Sequence, residues 1–277
     1  MDGLDILELV KIIILSIVQG ITEWLPISST GHLIIVEDLL PLASSTAFKE
    51  LFMVLVQFGS ILAVIVLYFN KLNPFASSKS SFEKKATWDL WIKVVIATLP
   101  AVVFGFILDD YMDEYFNIIP VIAATLIIYG IGFIWVENNN QGKHSKQIQS
   151  FADLSYMTAF KIGLFQALAI IPGTSRSGAT IMGGLLLGAS RFIAAEFSFF
   201  MSVPVMLGAS LLKLIKLGGA LTITEMIYMA IGMGLSFIVS LLAIKFLISY
   251  IKRHDFKVFG YYRIVLGIIL VLYSIFK

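Results

Sequence analysis

The sequence predicts an all-α polytopic membrane protein. Three observations carry that prediction: the composition, six long apolar runs, and two shorter apolar runs that are each interrupted by a Pro-led polar loop. Of 277 residues, 58% are hydrophobic and 14% charged, with 21 Gly. Counting Gly as apolar and leaving Tyr out gives roughly 62%, against about 45–50% in soluble domains, which also carry about 25% charge. A water-soluble globule and a disordered chain are both excluded. With no cysteine, disulfides, thiolate catalysis and cysteine metal sites are excluded too, while the compartment stays open. A net charge of +2 is too small to argue for nucleic acid.

Asp2, Asp5 and Glu8 precede the first apolar run, where a removable signal needs Lys or Arg, and no small-residue cleavage pattern follows. The first segment is expected to stay in the mature protein. That first region is Ile12–Leu25, then Pro26-Ile27-Ser28-Ser29-Thr30-Gly31-His32, then Leu33–Val36. Its runs are too short to span, and Pro and Gly break the helix where the polar residues gather, so it reads as re-entrant. Spans of about 20 apolar residues follow at Leu51–Phe69, Leu90–Leu108 and Ile118–Val136. The second interrupted region is Phe160–Ile171, Pro172-Gly173-Thr174-Ser175-Arg176-Ser177-Gly178, then Ala179–Ala189. Three more spans follow, at Phe192–Leu212, Met226–Tyr250 and Val258–Phe276. Lys93 lies near the end of its span and can snorkel to the interface. Aromatic residues near span ends, among them Trp88, Trp91, Trp135, Tyr68, Tyr111, Tyr115, Tyr250, Tyr261 and Tyr262, read as an interfacial belt.

The positive-inside rule places three loops in the cytoplasm. They are 70–89 (Lys71, Lys79, Lys84, Lys85), 137–159 (Lys143, Lys146) and 251–257 (Lys252, Arg253, Lys257). Segment 109–117 carries Asp109, Asp110, Asp113 and Glu114 without a cation and fits the outside; Lys213 and Lys216 are mild exceptions. These assignments agree only if both interrupted segments return to the side they came from. The chain is then one integral membrane domain, 1–277, with a first repeat at 1–136 and an inverted second repeat at 137–277. Each half is a re-entrant helix-loop-helix plus three transmembrane helices. A weak internal match supports this: Gln19 to Pro26 against Gln166 to Pro172, with one residue of slippage, and Ser28-Ser29-Thr30 against Thr174-Ser175-Arg176. Inverted repeats with broken helices are typical of transporters.

Two such hairpins entering from opposite faces are expected to meet near the bilayer centre and enclose a polar cavity. Their tips would bring Ser28, Ser29, Thr30 and His32 to Thr174, Ser175, Arg176, Ser177 and Thr180. Arg176, flanked by apolar runs, is the sharpest signal, because an ionisable residue at membrane depth costs at least about 2.5–3.5 kcal/mol. Its fork matches phosphate or carboxylate oxygens, and Gly173, Gly178 and the neighbouring hydroxyls suit an anion site at a half-helix start. The plain alternative is that Arg176 pairs with Glu23 and pins the hairpins together. Glu23 follows Gln19 by one helical turn, and the two offer oxygen ligands for Mg²⁺ or Ca²⁺. Glu23 also suits the part of a base. His32 could take a proton from a hydroxyl or protonate a leaving group. Ser28 and Ser29 could be nucleophile, phosphate donors or helix caps. Glu196, Gln57 and Lys213 read as packing or interface residues, Glu37-Asp38 as a return to the interface, and Asn138-Asn139-Asn140 as a polar loop.

Gln19-Gly20-Ile21-Thr22-Glu23-Trp24-Leu25-Pro26-Ile27-Ser28-Ser29-Thr30-Gly31-His32 closely resembles the first motif of the undecaprenyl-diphosphate phosphatases, the bacitracin-resistance family. Pro172-Gly173-Thr174-Ser175-Arg176-Ser177-Gly178-Ala179-Thr180 resembles their second motif, and the likeness covers essentially the whole chain. It implies a multi-pass enzyme of the bacterial cytoplasmic (inner) membrane that removes the terminal phosphate of undecaprenyl diphosphate. The undecaprenyl phosphate so formed is reused in cell-wall synthesis. It further implies dependence on Mg²⁺ or Ca²⁺, no relation to the acid-phosphatase-type lipid phosphatases, and functional roles for Glu23, Ser29, His32, Ser175, Arg176 and Thr180. The family admits Glu or Gln at the motif's opening; Gln19 leaves one carboxylate fewer for a metal. The attacking group stays open between Ser29, His32 and a metal-activated water. The site is expected to open to the outer side, with the prenyl tail left in the lipid. Homo-oligomerisation is left open by the sequence. The rival reading is a transporter or flippase of a prenyl-phosphate lipid without hydrolysis; a base beside a hydroxyl favours the enzyme. An ion channel is weaker, because the two tips are chemically unlike.

Overall fold

The computed structural model describes residues 5–140, 147–217, 219 and 221–276. Of the residues used to orient the chain, Lys143 and Lys146 and the side chains of Asp109, Asp110 and Asp113 lie outside that description. The described residues form eleven α-helices, in order α1 (Ile6–Thr22), α2 (Ser29–Leu39), α3 (Thr46–Leu67), α4 (Phe69–Leu72), α5 (Ser81–Phe116), α6 (Ile119–Asn140), α7 (Tyr156–Ala167), α8 (Arg176–Leu186), α9 (Arg191–Leu217), α10 (Ile223–Ile251) and α11 (Lys257–Phe276). A 3₁₀ turn at Leu168–Ile170 extends α7.

Among the described residues, six helices are long and apolar enough to cross a bilayer, and they coincide with the six expected spans: α3, α5 through Leu108, α6, α9, α10 and α11. In hydrocarbon, every backbone group must find its partner within the segment, so long apolar runs become helices. Their outward side chains are apolar, for example Val103, Phe106, Ile268 and Leu272. α5 differs from expectation at its end: it runs on to Phe116, so segment 109–117 is mostly helix rather than loop.

The interrupted regions form short helix pairs, α1 against α2 and α7 against α8. α2 and α8 have 11 residues each, rising about 16 Å, roughly half of a hydrocarbon core. The helix pairings are reciprocal between the halves. α1 packs on α10 and α7 on α5, while α6 meets α11 and α3 meets α9. At the α6–α11 crossing Gly130 faces Gly260, and a Cβ on either would lie 2.7 Å from the other's carbonyl oxygen. Such close backbone approach is what small residues allow between membrane helices.

Lys93 departs from the snorkelling expectation. Its side chain is buried, and its ammonium donates to the Phe151 carbonyl at 2.8 Å and pairs with Asp89 at 2.6 Å. It ties α5 to the segment before α7 instead of reaching for water. Glu196 is buried on α9 and pairs with Lys71, and Lys213 pairs with Glu50 at 2.8 Å near the surface. The first pair joins α9 to α4 and the second joins α9 to α3.

Candidate active site

The two polar loops share one construction. Ser28 and Ser175 have positive φ, 74° and 71°, the only non-glycine residues that do among those described. Each stands at the N-cap of the following short helix. The Ser28 hydroxyl accepts from the Gly31 amide at 3.3 Å, and that of Ser175 from the Gly178 amide at 3.1 Å. A capping oxygen satisfies one of the orphan amides of a helix start. The shared geometry pairs Ser28 with Ser175, one residue on from the sequence match. Upstream, Pro26 and Pro172 prevent continuation of the preceding helices. Gly173, at φ 84°, takes a conformation closed to most side chains.

The loops meet at Glu23. Glu23 follows the last residue of α1, its backbone amide donating to the Gln19 carbonyl; it is 4% exposed, and its carboxylate receives three hydrogen bonds. Arg176 Nη2 donates to Oε1 at 2.8 Å, while Gln19 Nε2 and the Ser29 hydroxyl donate to Oε2 at 2.9 and 3.0 Å. Gln19 and Glu23 share a face, as their spacing predicts. The ion pair proposed as the plain alternative for Arg176 is present, and it joins the two hairpins. Arg176 also donates from Nη1 to the Ser198 carbonyl at 2.8 Å, and its guanidinium lies 5.7 Å from the Trp24 ring. Its Nε is buried without a partner.

The other expected residues divide around this centre. Thr180 Oγ1 donates to the Ser198 hydroxyl at 2.7 Å, beside Arg176. Ser177 is buried, bonds the Leu25 carbonyl at 3.3 Å, and so stitches the second loop to the first. Ser175 and Ser177 hydroxyls lie 3.2 Å apart. Thr174 is buried and Thr30 exposed. His32 faces elsewhere: Nδ1 is 2.7 Å from the Ser28 carbonyl, and Nε2 is 2.7 Å from the Tyr262 hydroxyl. Of the two bases offered for Ser29, Glu23 is the one bonded to it.

Three residues beyond the sequence expectation complete the site. Ser198 on α9 receives both Arg176 and Thr180. Trp24 packs on Arg176. Arg263 on α11 is fully buried and donates to the carbonyls of Pro26 at 3.2 Å, Gly173 at 3.0 Å and Thr174 at 2.9 Å. One guanidinium therefore holds the backbone of both loops. The signal for Arg263 was available, since a cation within an apolar run carries the cost that singles out Arg176.

Among the described residues no three His, Asp or Glu cluster as a metal cage. The donor set instead offers Glu23, whose Oε2 accepts from Gln19 Nε2, and Gln19 Oε1, a buried oxygen with no hydrogen-bond partner. Two protein oxygens fit a divalent ion that takes its remaining ligands from phosphates and water, the usual mode for Mg²⁺.

The fold and site define a class: a multi-pass α-helical membrane protein with a buried acid, a hydroxyl and a guanidinium joined at the meeting of two broken helices. The pattern of the family described as "Bacitracin resistance protein BacA" matches residues 12–269, and the chain belongs to that family. It is 56% identical to an undecaprenyl-diphosphatase of Acetivibrio thermocellus, over 96% of this chain and 98% of that one. It is 54% identical to one of Enterococcus faecalis, over 98% of each. Undecaprenyl-diphosphatase 1 of Clostridioides difficile is 52% identical over 99% of this chain and 98% of its own.

Proposed function

We propose that the chain hydrolyses undecaprenyl diphosphate to undecaprenyl phosphate and inorganic phosphate, recycling the lipid carrier of cell-wall synthesis and supporting bacitracin resistance. The observation that carries this is the Glu23 carboxylate, which holds a serine hydroxyl on one oxygen and the Arg176 guanidinium on the other. A base in hydrogen-bond contact with a hydroxyl, next to a fixed cation, is the apparatus of phosphoryl transfer. Family membership and relatives named for this activity support the substrate.

In this reading Ser29 Oγ attacks the terminal phosphorus and its proton passes to Glu23. The bond from that phosphorus to the bridging oxygen breaks, and undecaprenyl phosphate leaves, while Glu23 passes its proton on to water. Water then attacks the phosphoserine phosphorus, Glu23 takes the water's proton, and the bond to Ser29 Oγ breaks, with Glu23 returning that proton to the serine oxygen as inorganic phosphate leaves. Arg176 lies where charge develops on the transferred group. The starts of α2 and α8 turn their partial positive charge toward the same loops. Gln19 and Glu23 would hold Mg²⁺ or Ca²⁺ together with the diphosphate; the ion would neutralise phosphate charge. Ser28, Thr30, Gly173, Thr174, Ser175, Ser177 and Thr180 form the surrounding phosphate pocket.

The two halves are read as inverted copies of one unit. The matching loops, the reciprocal helix pairings and the Gly130–Gly260 crossing support that reading. The distribution of positive charge supports an inner-membrane protein whose site opens outward. Because the chain has no cysteine, single cysteines near Ser29 can be probed with an impermeant thiol reagent. Labelling only from the cytoplasm would reverse the orientation.

The activity is tested by phosphate release from a long-chain prenyl diphosphate, with purified wild type and Arg176→Ala, each with and without a divalent chelator. Release that needs both Arg176 and metal is expected. No release from folded, lipid-reconstituted wild type with metal present would sink the phosphatase and return Arg176 to a lipid-binding role.

A further inference from the structure

Glu23 occupies the Ser29 hydroxyl, which leaves His32 no proton to take from it. Helix α11 supplies His32 with a different partner. A backbone carbonyl only accepts, so Nδ1, 2.7 Å from the Ser28 carbonyl, carries the proton. In the neutral ring Nε2 is then the bare nitrogen, and 2.7 Å away the Tyr262 hydroxyl has a proton to give. The two rings also stack, with centroids 5.6 Å apart and planes 8° from parallel. The next residue, Arg263, grips the carbonyls of Pro26, Gly173 and Thr174. One turn of α11 thus fixes the loop backbones and the imidazole together. Among the described residues, Arg263 also places a positive charge near His32.

We infer that Tyr262 is a positioning residue of this site that acts through His32. Together with the Ser28 carbonyl it locks the imidazole in the Nδ1–H tautomer and commits Nε2 to α11, so that Glu23 alone serves Ser29. A proton taken up at Nε2 reverses the bond: Nε2–H donates to the phenol oxygen, and the phenolic proton turns away from the imidazole. Titration of His32 is therefore read out at Tyr262. The tautomer lock stands on geometry alone, whereas its catalytic effect rests on the phosphatase reading.

The full chain in lipid, labelled with ¹⁵N-histidine, has three imidazoles to assign, and His32→Asn identifies the signal of His32. The expected wild-type pattern is a protonated Nδ1 and a bare Nε2. Tyr262→Phe keeps the stacked ring and removes the hydroxyl; it is expected to give a tautomer mixture. Freed from Tyr262, the imidazole can compete with Glu23 for the Ser29 proton, so the change is also expected to lower kcat by about 10-fold, move the histidine limb of the pH profile and leave KM near the wild-type value. In the His32→Asn background the same change is expected to cost nothing more. An unchanged tautomer signal in Tyr262→Phe, or losses that simply add in the double variant, would overturn the inference. Failure of the phosphatase reading shows separately, as absence of phosphate release from wild type.

Discussion

The loops at 26–32 and 172–178 are alike in frame and opposite in chemistry. Each has a serine at positive φ, a capping hydroxyl and a glycine amide that receives the cap. At the position after the capping serine, the first loop has Ser29 and the second has Arg176. The frame therefore supplies two equivalent helix starts, and a single residue difference makes one the hydroxyl side and the other the cation side. Glu23 sits between them and bonds both. The comparison teaches that the backbone build and the chemistry are separable, and substitutions can break either one.

The largest effect is expected from the chemistry. Arg176→Ala removes the cation from the reacting phosphate and leaves Glu23 a buried charge without its partner. Loss of an arginine at a transferring phosphoryl group costs about 10³–10⁵ in rate, and breaking a buried pair costs about 3–5 kcal/mol. The two losses can be separated. The double variant Glu23→Gln/Arg176→Met is expected to melt several degrees above Arg176→Ala, because no charge is stranded, yet to release no phosphate. Thermal unfolding in detergent beside the phosphate assay checks both. Recovery of activity in the double variant would reduce the pair to a structural clasp.

A smaller effect is expected where the frames themselves differ. A Cβ on Gly173 would overlap the Thr125 hydroxyl and the Ile122 backbone, at φ 84°. A Cβ on Gly31 would meet Ser28 Oγ at 3.4 Å, an ordinary contact. Gly173→Ala is expected to cost about 2–4 kcal/mol from overpacking and backbone strain. Gly31→Ala, inside α2, should be neutral or gain up to about 1 kcal/mol. Equal melting shifts for the two would show that the loops are more alike than their packing indicates.

Much of this was legible in the sequence, for physical reasons. In a bilayer the backbone has no partner but itself, so the six spans follow from apolar length alone. The loops follow from Pro and Gly, and Gln19, Glu23, Ser29 and Arg176 follow from polar residues stranded among apolar ones. What was not legible depends on which helices touch. Lys93 bonds a carbonyl 58 residues away, and a cation near a span end gives no hint of it. Tyr262 reads as belt and is instead the partner of His32, 230 residues distant in sequence. Ser198 looks like one small residue among many in α9 until Arg176 and Thr180 are placed on it.

The smallest effect sharpens the comparison most. Ser28→Ala and Ser175→Ala each remove one helix cap, worth about 0.5–2 kcal/mol. If the frames are equivalent, the two stability losses should agree. Activity should not be equally tolerant. Ser28 stands directly before Ser29 and its carbonyl holds His32, so slackening this cap moves the hydroxyl and the imidazole together. Ser175 stands before Arg176, whose guanidinium is held at a distance by Ser198 and Glu23. A looser cap there leaves those anchors in place. Ser28→Ala is therefore expected to lower kcat more than Ser175→Ala at matched stability. A steady-state comparison at a temperature where both variants are fully folded decides the point. The reverse order would mean that the phosphate is held chiefly by the backbone of the second loop, with the Arg176 side chain secondary to it.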